Sequence, residues 1–233
     1  MCTVTFLPLK EGFILTSNRD EVKSRQANFP KTYTSKSGIV SFPQDPKAGG
    51  TWIAGCKTKM ICLLNGAIEK HKHNPPYKHS RGKVVLDAFD ACSFSDFRES
   101  YDFSNLEPHT LVMIDYENNI EIVELKWDGY QKHIAKKNQN ETHIWSSVTL
   151  YPDEIIKKRE YWFTQWISKN SFTVASIKNF HKTGGNGDEK NDLVMQRNEE
   201  LKTISVTSFE HQQKKTMMIY EDLIDNSITE LYL

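Results

Sequence analysis

Cys2-Thr3-Val4-Thr5-Phe6-Leu7, followed across Lys10-Glu11-Gly12 by Phe13-Ile14-Leu15-Thr16-Ser17 and then by Asn18-Arg19-Asp20-Glu21, is the stretch on which the reading of this chain turns. Two β-branched and aromatic runs flank a glycine-containing turn, the pattern of a β-hairpin. Four polar residues at a strand end read first as a solvated turn. Consecutive strands usually pair, however, and pairing here brings Asn18-Arg19-Asp20-Glu21 towards Cys2.

The same punctuation recurs along the chain. Residues 39–42, 51–54 and 60–64 are short strand-like runs, separated by turns such as Ser37-Gly38 and Pro46-Lys47-Ala48-Gly49-Gly50. Gly49 and Gly50 fit either a tight turn or a close approach of the backbone to a neighbour. A polar loop over 69–78 contains Pro75-Pro76, and Ser80 then reads as the N-cap of a helix with Val85, Ala88, Phe89 and Cys92 on one face. Residues 110–115 and 120–125 form a hairpin around Tyr116-Glu117-Asn118-Asn119, and a further strand is expected at 143–146. Pro152 opens the clearest helix, with Asp153 and Glu154 at the positive end of its dipole. Ile155, Trp162, Phe163, Trp166 and Ile167 form its core-facing stripe; that spacing favours core packing over a stack for a planar ligand. Residues 181–191 read as a Gly-rich polar loop, and strands at 203–209, 216–220 and 228–233 close the chain. Strands in blocks with helices between them, lacking regular β-α alternation, predict an α+β layered domain of antiparallel sheets covered by helices. The 233 residues suit a single domain, 1–233.

Thirty Lys+Arg balance thirty Asp+Glu, which leaves no basic field for nucleic acid or an anionic membrane. The apolar runs are strand-length, short of the ~18 residues that span a bilayer, and no signal peptide is read at the start. The chain is therefore expected to be soluble and to begin where it is written. Cys2, Cys56, Cys62 and Cys92 make no CxxC pair, so a reducing, cytoplasmic setting is predicted, with Cys56 and Cys62 in the core. His71, His73 and His79 have no carboxylate or cysteine at ligand spacing, and no metal site or cofactor is predicted. Gly184-Gly185-Asn186-Gly187 lacks the ending of a phosphate loop.

Removal of Met1, usual before so small a residue, leaves a thiol and a free α-amine on Cys2. An α-amine titrates near ~7.7–8.0 and a thiol near ~8.5, so the amine can take the thiol proton at neutral pH. The thiolate is the reactive form, and an N-terminal amine is an established activating base. A cation near Cys2 would hold the thiolate and a carboxylate would orient the amine. Asn65, at the end of the strand before Gly66, reads first as part of an Asn-Gly hairpin turn and second as an oxyanion donor.

As an ordered set, Cys2, Thr16-Ser17-Asn18-Arg19-Asp20-Glu21, Gly49-Gly50-Thr51-Trp52, Leu63-Leu64-Asn65, Ser80-Arg81-Gly82 and Ser146-Ser147-Val148-Thr149-Leu150-Tyr151 resemble the NRDE family, also called the Transport and Golgi organization family. The resemblance covers most of the chain and implies a four-layer αββα sandwich like that of the N-terminal-nucleophile hydrolases. It also implies kinship with cysteine-type amidases such as penicillin V acylase and bile-salt hydrolase. By that likeness Cys2 is nucleophile and base, Arg19 steadies the thiolate, Asp20 orients the amine and Asn65 is the first oxyanion donor. Asn18, Glu21, Trp52, Ser146 and Ser147 are the implied substrate-binding residues, Ser146 or Ser147 lying where those amidases carry a second Asn. The amidases space their arginine and aspartate differently, and they carry a late arginine where residues 203–208 have none. The implied activity is hydrolysis of a non-peptide C–N bond in a small amide or acyl substrate. The alternative the family implies is a carrier of haem or an acyl lipid on the same scaffold. Loops 23–36 and 69–78 are expected to wall the pocket.

Overall fold

The computed structural model describes residues 3–233. Among them are fourteen strands and four helices, grouped in two compact units: the residues up to Gln26 with Asn140–Tyr232, and Ala27–Gln139 with Leu233.

The first unit is built on β1 (Thr3–Leu9), β2 (Gly12–Val22), β10 (His143–Ser146), β11 (Gln196–Arg197), β12 (Leu201–Gln212), β13 (Lys215–Asp222) and β14 (Ile228–Tyr232). They form one antiparallel sheet in the order β10-β1-β2-β12-β13-β14, with β11 on β12. The hairpin at the start of the chain is the one expected, with Thr3 opposite Asn18 and Leu9 opposite Gly12. Helices α3 (Asp153–Ile167) and α4 (Val174–Thr183) cover one face. There Leu7 and Ile14 pack with Phe163, Ile177, Phe180 and Leu193, and Trp162 and Trp166 flank them. The aromatic stripe of α3 is thus core, as its spacing predicts.

The second unit holds β3 (Asn28–Ser35), β4 (Gly38–Gln44), β5 (Ile53–Gly55), β6 (Lys59–Asn65), β7 (His109–Asp115), β8 (Glu121–Trp127) and β9 (Lys132–Lys137), paired antiparallel in chain order. It also carries α1 (Arg81–Asp90) and α2 (Phe94–Ser100). A Cβ on Gly50 would sit 2.4 Å from the carbonyl carbon of Gly82, so the backbone entering β5 lies directly against the start of α1. That is the close approach, while Gly49 at φ +69° supplies the turn before it.

Five sequence expectations are corrected. The β2 strand runs on through Asn18, Arg19 and Asp20, all buried, because each polar side chain finds buried partners there. Residues 28–35 of the expected loop are strand β3, whose alternating exposure hid it. Asn65-Gly66 is no hairpin turn: β6 pairs with β7 only after α1 and α2 intervene. Cys92 lies beyond the end of α1. His181 belongs to the last turn of α4, so the Gly-rich loop begins later than expected.

Candidate functional site

The sheet of the first unit has two chemically different faces near the start of β1. On the α3/α4 face the side chains of Thr3, Thr5, Asn18 and Asp20 are each held by a group from outside β1 and β2. Asn18 donates from Nδ2 to the carbonyls of His181 (3.0 Å) and Leu193 (2.7 Å). A carbonyl can only accept, so Oδ1 of Asn18 is the atom facing His181 Nδ1, which must carry the proton. His181 Nε2 is then the bare nitrogen, and it accepts from the Thr5 hydroxyl at 2.8 Å. This imidazole is fully buried, and burial, reinforced by the charge of Arg159, pulls its pKa down to about 3. It is neutral at any physiological pH.

Asp20 accepts from the Tyr151 hydroxyl (2.7 Å) at one carboxylate oxygen and from the Thr203 hydroxyl at the other. The guanidinium of Arg159 sits over the Tyr151 ring, with Cζ 3.6 Å from its centroid. Arg159 is wholly buried and donates to the Thr3 hydroxyl and to the carbonyls of Asn191 and Asp192. A continuous buried polar chain therefore runs from Asp20 through Tyr151 and Arg159 to Thr3.

The opposite face carries Arg19. A β-bulge in β12 shifts the register between Thr203, opposite Asp20, and Ser205, opposite Arg19. Two residues apart, Thr203 and Ser205 would ordinarily share a face; the extra residue sends them to opposite ones. Arg19 thus lies in a cross-strand row with Ser205 and Asp222, and Ser17 lies in the next row with Thr207 and Tyr220. Arg19 donates to the carbonyl of Arg25 at 2.9 Å. Asp222 accepts from Gln26 and from Tyr220, whose hydroxyl is pushed up in pKa by burial and by that carboxylate. Among the described residues the hydroxyls of Ser205 and Thr207 are sealed from solvent without a hydrogen-bond partner in good geometry, Ser205 beside the Tyr220 hydroxyl. The position lacking the late arginine is filled by these small hydroxyl residues.

Cys2 lies outside the described residues, so the structure reaches the site only as far as Thr3. Of the other sequence candidates in this unit, Glu21 accepts from Arg25 and from the backbone N–H of Val22 at the rim of the sheet. Ser146 stands opposite Thr3, and its hydroxyl is buried without a partner among the described residues. Ser147 is buried and bonds Thr149. Trp52 and Asn65 belong to the second unit. Trp52 is buried and its carbonyl accepts from Leu63 N–H. Asn65 ends β6 opposite His109, a buried imidazole whose Nδ1 donates to the Glu107 carbonyl and whose pKa burial lowers to about 4. The histidines of the loop after β6 serve its anchoring: His71 and His73 both bond Oε1 of Glu107, and Arg81 pairs with Oε2.

Sequence reasoning passed over Tyr151, Arg159, His181 and Thr203. Arg159 had a readable signal, since Ile155, Arg159 and Phe163 fall at i, i+4, i+8 on the apolar face of α3. A charge on that stripe requires a buried acceptor set, and the carbonyls of Asn191 and Asp192 supply it.

Among solved structures, a variant of the conjugated bile acid hydrolase of Clostridium perfringens superposes with a TM-score of 0.61 at 12% identity, covering 99% of this chain and 92% of that one. At that identity the likeness shows the fold, an α+β arrangement of the N-terminal-nucleophile hydrolase type. No curated protein matches the chain. The family model described as Transport and Golgi organisation 2 matches residues 1–224, and on that match the chain belongs to the Transport and Golgi organisation 2 family.

Proposed function

We propose that this protein is an N-terminal cysteine hydrolase that cleaves a non-peptide amide bond through an acyl-enzyme at Cys2. One observation carries the reading: Arg19 is buried on β2 in the position next after Asn18, which pairs with Thr3. A cation so placed suits a thiolate on the residue preceding Thr3. The reading requires Cys2, freed of Met1, to take the place opposite Arg19. Likeness of fold to a bile acid hydrolase supports it. The spacing of the four cysteines, with no CxxC pair, suits a reducing, cytoplasmic setting.

In the first half-reaction the α-amine takes the thiol proton and the thiolate attacks the amide carbon, forming the C–S bond and an oxyanion. Ser146 and Ser147, on and just after the strand paired with β1, are assigned to the substrate. Collapse breaks the C–N bond, and the leaving amine departs with the proton held by the ammonium. In the second half-reaction the neutral amine deprotonates a water, which attacks the thioester and releases the carboxylic acid and the thiol. Asp20, locked by Tyr151 and Thr203, is assigned to orientation of the amine, and Asn18 to holding β2 against α4.

The test is a screen of N-acyl amino acids and acyl amines against the processed protein and Cys2→Ser, with intact-mass detection of the acyl-enzyme. Acid release with a Cys2 adduct, both lost in Cys2→Ser, is the expected result. Equal turnover in the variant removes Cys2 from the chemistry. Haem or acyl-lipid binding that survives Cys2→Ala, with no turnover of any amide, favours the carrier alternative instead.

A further inference from the structure

A cavity of about 360 Å³ opens in the second unit, between the stretch that follows β6 and the turn joining β8 to β9, and the chemistry proposed for Cys2 makes no use of it. We propose that it binds a free α-amino acid with an apolar or aromatic side chain, its carboxylate on Lys70 and its ammonium on Glu69.

Both walls are braced before any ligand arrives. On one side the Gly66 N–H donates to the Pro108 carbonyl, the Thr110 hydroxyl donates to the Gly66 carbonyl, and His71 bonds Glu107. On the other, Oδ1 of Asp128 accepts from the N–H groups of Tyr130 and Gln131, while Oδ2 faces His133 Nε2 at 2.6 Å. Gly129, at φ +103°, makes the turn, and a Cβ there would touch Pro108. The braced turn leaves Tyr130 93% exposed at the cavity, with half-exposed Ile68 and Pro108 in the same lining. A ring and an aliphatic side chain held in water on a rigid frame gain by covering an apolar ligand body, at little cost in ordering.

The charges at the rim are those the fold leaves over. Lys78 pairs with Asp102, Arg81 pairs with Glu107, and His71 and His73 share the other oxygen of that carboxylate. Lys70 and Glu69 are exposed, line the cavity, and have no hydrogen-bond or ion-pair partner among the described residues. One free charge of each sign suits a ligand that carries both. A plain carboxylate would meet Glu69, and a plain amine would leave Lys70 unmatched. Asp128 adds a second negative charge to the wall, so the ammonium end is the better held. The volume lies near the lower end of the ~300–1,000 Å³ of small-molecule sites, which suits a ligand of amino-acid size.

The test is an NMR titration of the full chain, read at the amides of Ile68 and Tyr130. L-Phenylalanine is compared with L-phenylalaninamide, which lacks the carboxylate, and with N-acetyl-L-phenylalanine, which lacks the ammonium. Saturable shifts are expected, tightest for phenylalanine, weaker for the amide and weakest for the N-acetyl compound. Lys70→Gln should weaken phenylalanine by about two- to fivefold, the range of an exposed ion pair, and leave the amide unchanged. Glu69→Gln should weaken phenylalanine and the amide and spare the N-acetyl compound. Both side chains are exposed, so the fold is kept, and unchanged spectra away from the cavity check this. Shifts that do not saturate by tens of millimolar, equal affinity for all three compounds, or phenylalanine binding unaltered in both variants would overturn the proposal. Binding alone is read, so an inactive Cys2 leaves the comparison intact.

Discussion

Lowering the pH from 7.5 to 5.5 should destabilise the fold through its buried imidazoles, and His181 allows the effect to be isolated. Its neutral state is dictated by the Asn18 amide, the Thr5 hydroxyl, full burial and the nearby Arg159. The folded pKa of about 3 lies below the unfolded value, so the unfolded chain binds the extra proton and stability falls as pH drops below about 6.5. At pH 5.5, one unit below that value, each such imidazole costs about 1.4 kcal/mol. His109, held near 4 by burial, contributes a second share of the same sign, and half-buried His211 a smaller one. The depressed carboxylates, such as Asp102 and Asp128, titrate far below this window. With a urea m-value of about 3 kcal/mol/M for a chain this size, each imidazole moves the midpoint by about 0.5 M. Urea titrations at the two pH values should show a drop of about 1 M in the parent and about half that in His181→Gln. The same pH-dependent drop in both proteins would refute the assignment of His181 as a neutral, buried imidazole.

Thr207→Val removes a sealed hydroxyl that has no partner among the described residues, and replaces it with a methyl of equal size. Its melting temperature should stay level or rise, because no hydrogen bond is lost; a fall of several degrees would show that the hydroxyl is bonded. Gly50→Ala drives a Cβ into the Gly82 backbone, which has no flexible side chain to yield. We expect a loss of about 1–3 kcal/mol, or roughly 3–10 °C in calorimetry, and no change would mean that the two segments are not in contact.

The parts of the fold legible in the sequence were those written in local chemistry. The β1–β2 hairpin, the α3 stripe, the Gly49-Gly50 turn and the terminal strands all show in periodicity and turn residues. The short helix α2 and the lysine-rich edge strand β9 did not, since neither carries an apolar period of its own. The site was legible in residue types but not in their partners. Asn18-Arg19-Asp20 reads as a polar cluster in one dimension; only the fold shows Asn18 and Asp20 on one face of β2 and Arg19 on the other. Their partners His181, Tyr151 and Thr203 lie more than a hundred residues away. The bulge that separates Thr203 from Ser205 leaves no glycine or proline to announce it.

The decisive measurement is competitive alkylation of the intact protein at neutral pH, followed by peptide mapping. The account predicts that Met1 is absent and that Cys2 is labelled well ahead of Cys56, Cys62 and the exposed Cys92. A chain that keeps Met1, or in which Cys92 reacts first and Cys2 stays unlabelled, would contradict the claim that this fold presents an activated N-terminal thiol.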